Sequence, residues 1–179
     1  WESFRRVSFQ QAGTLSWMDL AARLQQQEQV LCVVNARRAA REVFHQLSGS
    51  GNFHLSTLMY PAHRKRILDE IRRRLRDGLP CRVVSTSLIE AGVDVDFPAV
   101  YRELSGLDSI IQAGGRCNRE GRQSAAESVV YVFEREKVPR GLEEVCEWVR
   151  GDLETCPDIS APEVITRYFR RLYGANVRE

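Results

Sequence analysis

No stretch of this sequence is apolar for more than a few residues, and Val30 to Val34 is among the longest. Nothing in it reads as a bilayer span, which needs about 20 such residues. No basic-then-apolar leader opens the chain, so export is not expected. Histidine is scarce: His45, His54 and His63 stand apart from one another and from any cysteine, and each reads as structural. The five cysteines (32, 81, 117, 146 and 156) are an odd set without a Cys-x-x-Cys spacing. That excludes a zinc-ribbon reading and a paired disulfide framework, and it fits reduced, mostly buried thiols in a cytoplasmic protein. No Gly-x-x-x-x-Gly-Lys-Ser/Thr loop occurs, so the chain cannot cradle β- and γ-phosphates by itself. The one Asp-Glu pair, Asp69-Glu70, falls inside a helical pattern, a poor place for a magnesium carboxylate. No metal site and no Ser/His/Asp or Cys/His arrangement is expected. The chain opens on Trp1 rather than Met, which reads as a start inside a longer reading frame or after processing.

What is present is globular: 43% hydrophobic and 28% charged residues in 179, enough chain for one well-buried core. The net charge of +2 says little, but its distribution says more. From His63 to Arg76 seven Lys/Arg face two acids, while Glu134 to Glu163 holds nine acids and four bases. A polyanion-facing side and a solvated or partner-facing end fit this split, as do two ordinary charged helix faces.

Short β-branched runs alternate with helical stretches. Val30–Val34, Arg82–Ser85, Val129–Phe133 and the short Ala99–Tyr101 read as strands, with His54–Leu58 and Arg6–Phe9 as weaker candidates. Helices are expected over Ala36–Leu47, Pro61–Asp77, Asp108 to about Cys117, near Gly141–Arg150 and over Pro162–Tyr173. In the second of these, Ile67, Leu68, Ile71 and Leu75 form one stripe between an N-terminal Pro61 and a stop at Gly78. This alternation predicts an α/β fold of βαβ units, a central mostly parallel sheet between helices, with ligands beyond the carboxyl ends of the strands.

Two stretches carry candidate chemistry. Ser85-Thr-Ser-Leu-Ile-Glu-Ala-Gly-Val-Asp-Val-Asp96 follows a strand. There Thr86 and nearby N–H groups suit a phosphate, Gly92 permits close approach, and Asp94 suits a ribose hydroxyl or a cation. A plain turn with an acidic cap is the alternative. In Gln112-Ala-Gly-Gly-Arg-Cys-Asn-Arg119, the two arginines at i and i+3 share one face if helical. Gly114 and Gly115 cost about 1 kcal/mol each in a helix, which fits something approaching the backbone closely. Two adjacent guanidiniums repel unless an anion lies between them, and a triphosphate suits that geometry. Surface salt bridges with Glu120 or Glu103 are the alternative.

These two stretches resemble motifs V and VI of superfamily 2 helicases, which lie on the second RecA-like domain. Val33-Val-Asn35 with Arg37, His54-Leu-Ser-Thr57 with Pro61-Ala-His-Arg64, and Leu107-Asp-Ser-Ile-Ile-Gln112 narrow the resemblance to the CRISPR-associated nuclease-helicase of type I systems. It covers roughly residues 28–135, implying a RecA-like three-layer domain over 1–135 and an acidic helical extension over 136–179. By resemblance, Arg116 and Arg119 are the arginines that reach the γ-phosphate of ATP, Gln112 couples nucleotide to the domain interface, and Gly92 and Asp94 lie near the nucleotide. Thr86, Asn35, Arg37 and Thr57 fall by a single strand of DNA. The resemblance further implies ATP and Mg²⁺ held mainly by a first RecA-like domain, an HD nuclease domain, a CRISPR surveillance complex as partner, no membrane, and a cytoplasmic location. Neither the phosphate loop nor the HD motif is in this chain, so hydrolysis by the chain alone is not expected. Another superfamily 2 helicase, or a non-catalytic RecA-like module that binds nucleic acid or a partner, are the rival readings.

Overall fold

On a β-strand successive side chains point to opposite faces. Val30, Cys32 and Val34 accordingly enter one hydrophobic cluster while Leu31 and Val33 enter another. A strand apolar on both faces belongs in the middle of a covered parallel sheet. The computed structural model describes residues 6–56, 58–86, 94–138 and 140–176. In chain order the elements are β1 (Ser8–Thr14), α1 (Trp17–Gln25), β2 (Gln29–Val33), α2 (Arg37–Gln46), β3 (Asn52–Leu55) and α3 (Pro61–Arg76). Then follow β4 (Cys81–Ser85), β5 (Ala99–Glu103), α4 (Leu107–Gly114), β6 (Val129–Glu134), α5 (Glu143–Thr155) and α6 (Pro162–Asn176). Among the described residues every strand pairing is parallel, and the sheet order is β1-β6-β5-β2-β4-β3.

The α/β architecture expected from the alternation is present, with differences at its edges. The weak candidate at Arg6–Phe9 is the longer β1, and that at His54–Leu58 is β3, which ends at Leu55. A helix that the sequence reading leaves unassigned, α1, packs Leu20, Ala21 and Leu24 into the core with Ala39, Ala40 and Val43 of α2. Its signal was local. Ser16 caps it by accepting the Asp19 N–H at 3.0 Å, a Ser-x-x-Asp start. The far end of α1 is closed from the sheet, where the buried Arg82 donates through Nε to the Leu24 carbonyl at 3.2 Å and through Nη2 to that of Gln25 at 3.3 Å. The Leu24 carbonyl also accepts the Gln27 N–H at 3.0 Å, and the buried guanidinium adds donors to the last-turn carbonyls that a helix end leaves under-satisfied. At its start, Arg135 stacks on Trp17, with Cζ 4.0 Å from the ring centroid.

On the opposite face α3 buries Leu68 and Ile71, the stripe foreseen in its sequence, against Leu31, Val33 and Val83. Each such side chain stabilises by about 1.5–3 kcal/mol when fully buried. A third cluster joins Leu107 and Ile110 of α4 and Val132 of β6 to Cys146 and Val149 of α5 and Val164 and Tyr168 of α6. Asp152, buried in α5, accepts from Arg167 Nη2 of α6 at 2.6 Å, and Arg150 forks onto Glu134 at 2.9 and 2.7 Å. Among the described residues no helix is long and apolar enough to cross a membrane.

Cys32, Cys81, Cys117 and Cys146 are buried thiols and Cys156 is half-buried. Burial pushes the thiols of Cys81 and Cys117 from 9.0 up to about 12. They stay protonated in the fold where an unfolded thiol has already ionised. The unfolded chain therefore binds fewer protons above pH 9, and stability that is full below that pH falls as pH rises toward 12. Urea titrations at pH 8, 9, 10 and 11 are expected to show a falling midpoint above pH 9. Substituting Cys81 and Cys117 by Ala lessens that fall, with Cys32 and Cys146, whose thiols burial also raises, keeping the remainder.

Candidate nucleotide-facing turn at the N-terminal rim

The helix expected to run to Cys117 ends at Gly114, with Gly115 as its cap. Gly115 N–H bonds back to the Ile111 and Gln112 carbonyls at 3.0 and 3.1 Å, the usual way a last turn tightens. Arg116 and Arg119 therefore project from a turn and do not share a helix face. Gly114 does mark a close approach, but by the protein's own Phe9: a Cβ there would lie 3.0 Å from the ring. The approach is core packing of β1 onto α4.

The location also differs from expectation. In a parallel sheet each strand starts at the same rim, and α4 returns the chain from the carboxyl end of β5 to that starting rim. Residues 115–123 thus lie beside residues 94–98, which lead into β5. Phe97 and Cys117 form an isolated parallel bridge. Phe97 N–H donates to the Arg116 carbonyl at 2.8 Å and Asn118 N–H to that of Phe97 at 3.1 Å. The arginines and Asp94 sit at the amino ends of the strands because they follow a helix or precede a strand.

Further bonds hold the turn. The Asp96 carboxylate accepts the Arg119 N–H at 2.8 Å and the Glu120 N–H at 3.2 Å. Buried Asn118, in left-handed backbone with φ 48°, donates Nδ2 to the carbonyls of Arg6 and Gln123 at 2.8 and 2.7 Å. Asparagine tolerates that conformation better than other side-chain-bearing residues. Arg6 returns a bond from Nη1 to the Arg119 carbonyl at 2.7 Å. Sequence reasoning missed Asp96, Asn118 and Arg6 as supports. The available signals were the repeated acid in Asp94-Val-Asp96 and an Asn between two arginines.

The half-exposed Arg119 guanidinium pairs with the Asp94 carboxylate. The backbone of Asp94 is itself held by Arg72 of α3, whose Nε donates to the Asp94 carbonyl at 3.3 Å. Burial disfavours the charge on Arg116, the neighbouring Arg119 adds to this, and Asp94 partly offsets it. Of the alternative salt-bridge partners, Glu120 pairs with Arg122 and Glu103 lies at the other end of β5, where Asn35 N–H donates to its carboxylate at 2.7 Å. A cleft of about 400 Å³ opens beside the turn, lined by Arg72, Asp94, Asp96, Phe97, Asn118 and Arg122 among others. Gln112 is exposed on α4.

Thr86, Asn35 and Arg37 lie at the opposite, carboxyl rim. Thr86 follows β4 and is buried, 6% exposed. Asn35 follows β2 and spends its side chain internally, donating Nδ2 to the Leu104 carbonyl at 3.0 Å and accepting from Arg102 Nη1 at 2.7 Å. Arg37 is exposed at the first position of α2. Gly92 and Thr57 lie outside the described residues. Among the described residues no cluster of three or more His, Cys, Asp or Glu is arranged to hold a metal ion.

The sheet order, the two helical faces and the arginine turn define a RecA-like α/β domain. The fold matches that of T. fusca Cas3 solved with ATP, with a TM-score of 0.71 and 15% identity over 91% of this chain and 23% of that one. The family model described as "CRISPR-associated nuclease/helicase Cas3, C-terminal" matches residues 26–122, and the chain belongs to that family. It is 32% identical over 111 residues, 60% of this chain, to the CRISPR-associated nuclease/helicase Cas3 of Methanothermobacter thermautotrophicus, and spans 13% of that protein. To the protein of that name from Haloferax volcanii it is 44% identical over 72 residues, 38% of this chain and 8% of that protein.

Removing the Asp96 carboxylate strands two backbone N–H groups and frees the turn. Asp96→Ala is expected to cost about 1–2 kcal/mol in urea unfolding and to speed amide exchange at Arg119 and Glu120 far more than in α3. Equal acceleration across both regions would refute the clamp.

Proposed function

We propose that the chain is the second motor domain of an ATP-dependent DNA helicase or translocase of the CRISPR nuclease-helicase type. Its RecA-like part is residues 1–135, and 136–179 form a helical extension toward a following domain. The observation that carries the reading is the clamped turn, which presents Arg116 and Arg119 side by side at an open rim of a chain that lacks a phosphate loop. Arg116 is disfavoured as a cation by burial and by Arg119. An anion arriving between the two relieves both costs, so the pair fits the outer phosphates of a nucleotide held by another domain.

ATP with Mg²⁺, when bound to the first RecA-like domain, supplies a phosphoryl group for transfer to water. Arg116 and Arg119 hold the charge on that group, and Asp96 and Asn118 keep their backbone in place. Asp94 pairs with Arg119 and, by the family resemblance, would face the sugar when nucleotide is bound. By the same resemblance Gln112 and Gly92 would serve that nucleotide. Thr86, Arg37 and Thr57, again by resemblance, serve single-stranded DNA, and of these Arg37 is exposed at the opposite rim. The network of Asn35 with Arg102 and Glu103 shapes the β2–α2 loop that presents Arg37. Backbone contacts of this kind are sequence-independent and weaken with salt. The HD nuclease domain of the parent protein and a CRISPR surveillance complex are the further partners, in a cytoplasm that keeps the five thiols reduced.

In the protein that also carries the phosphate loop, Arg116→Ala or Arg119→Ala is expected to lower ATP turnover by about 10³-fold or more while thermal unfolding barely moves. Near-normal turnover in both variants would remove the assignment. Calorimetry of the 179-residue chain with MgATP is expected to show no micromolar binding, and heat at that affinity contradicts the division of the site between two domains.

A further inference from the structure

Beyond β3 the chain turns at Ser56, where Leu58 N–H donates to Ser56 Oγ and Met59 N–H to the Ser56 carbonyl, each at 3.3 Å. Met59 packs inward on the cluster that contains Leu55 and Leu68. Its neighbours do the reverse: Leu58 is 78% exposed and Tyr60 82%. Tyr60 is nevertheless fixed in place, because its carbonyl accepts the Arg64 N–H at 2.9 Å and starts α3. A ring held out in solvent on an anchored backbone offers a flat apolar face at low entropic cost.

The charge around it is of one sign. No acid occurs between Glu42 and Asp69, whereas Arg64, Lys65 and Arg66 follow Tyr60 after Pro61, Ala62 and His63. The first turn of α3 carries no acid, and its amide dipoles add positive potential there. The first acids downstream are already engaged, Asp69 with Arg72 and Glu70 with Arg73 and Arg74. β3 pairs with β4, so this turn lies at the carboxyl rim next to Thr86. An aromatic face beside cations is the recurring platform for unpaired bases and their phosphates.

We propose that Tyr60 stacks on a base of single-stranded nucleic acid crossing this rim, with Leu58 against the base edge and Lys65 and Arg66 at the flanking phosphates. The inference rests on the reading of the carboxyl rim as the nucleic-acid face. The test is fluorescence anisotropy of the 179-residue chain with a fluorescein-labelled oligo-dT and with an abasic oligonucleotide of equal length. Tyr60→Ala is expected to weaken oligo-dT binding about tenfold and to leave abasic binding unchanged, while Tyr60→Phe binds as the unaltered chain does. Indole emission in Tyr60→Trp is expected to be quenched by unlabelled oligo-dT. Unchanged oligo-dT affinity in Tyr60→Ala overturns the stacking and leaves the rim reading standing. Displacement by polyglutamate as effectively as by oligo-dT shows an acidic-polypeptide surface instead and overturns it too. No binding by the unaltered chain overturns both.

Discussion

The candidate edge depends on one contact, the Phe97–Cys117 bridge with the Asp96 carboxylate beside it. A parallel sheet forces every connection to cross from one rim to the other, so the segments entering β5 and leaving α4 arrive at the same rim. Left alone, they would be two independent loops, with each arginine free to roam. Two backbone bonds and a bidentate carboxylate make them one unit, and Asn118 and Arg6 tie that unit to the start of the chain. The positions of Arg116 and Arg119 follow from that unit.

That arrangement keeps like charges close at some expense. An exposed pair such as Arg119 with Asp94 contributes little stability, on the order of 0–1 kcal/mol. Its role lies in where it holds the guanidinium. The backbone is rigid and the side chain replaceable, a combination that suits a group whose partner changes. The carboxyl rim is built differently. There Asn35, Arg102 and Glu103 form an inward network, and burial raises the Glu103 carboxyl above its usual range even though Asn35 and Arg102 oppose this.

Much of the fold could be read from the sequence because its strands are apolar on both faces and the α3 stripe has helical spacing. β2, β4, β6 and α3 were recognisable for that reason. α1 was not assigned: its core contribution is only Leu20, Ala21 and Leu24 within a glutamine-rich stretch, and its end is completed by Arg82 from a distant strand. The identities of the candidate arginines and of Asp94 came from spacing and resemblance, but their rim did not. The rule that ligands gather at carboxyl ends concerns sheets that hold their own ligand, and it gives the wrong edge for residues that follow a helix. The supports Asp96 and Asn118 act across more than twenty residues or through backbone geometry, which local patterns do not encode.

The two rims stand at opposite ends of strands such as β5 that are only five residues long, about 17 Å of extended chain. Helices sheathe both faces of the slab between them, and its interior is close-packed. Such a slab compresses hardly at all, so a displacement imposed at one edge arrives at the other undiminished, by rotation of the whole block. Whatever adjustment joins the two edges has to be taken up at the block's surface.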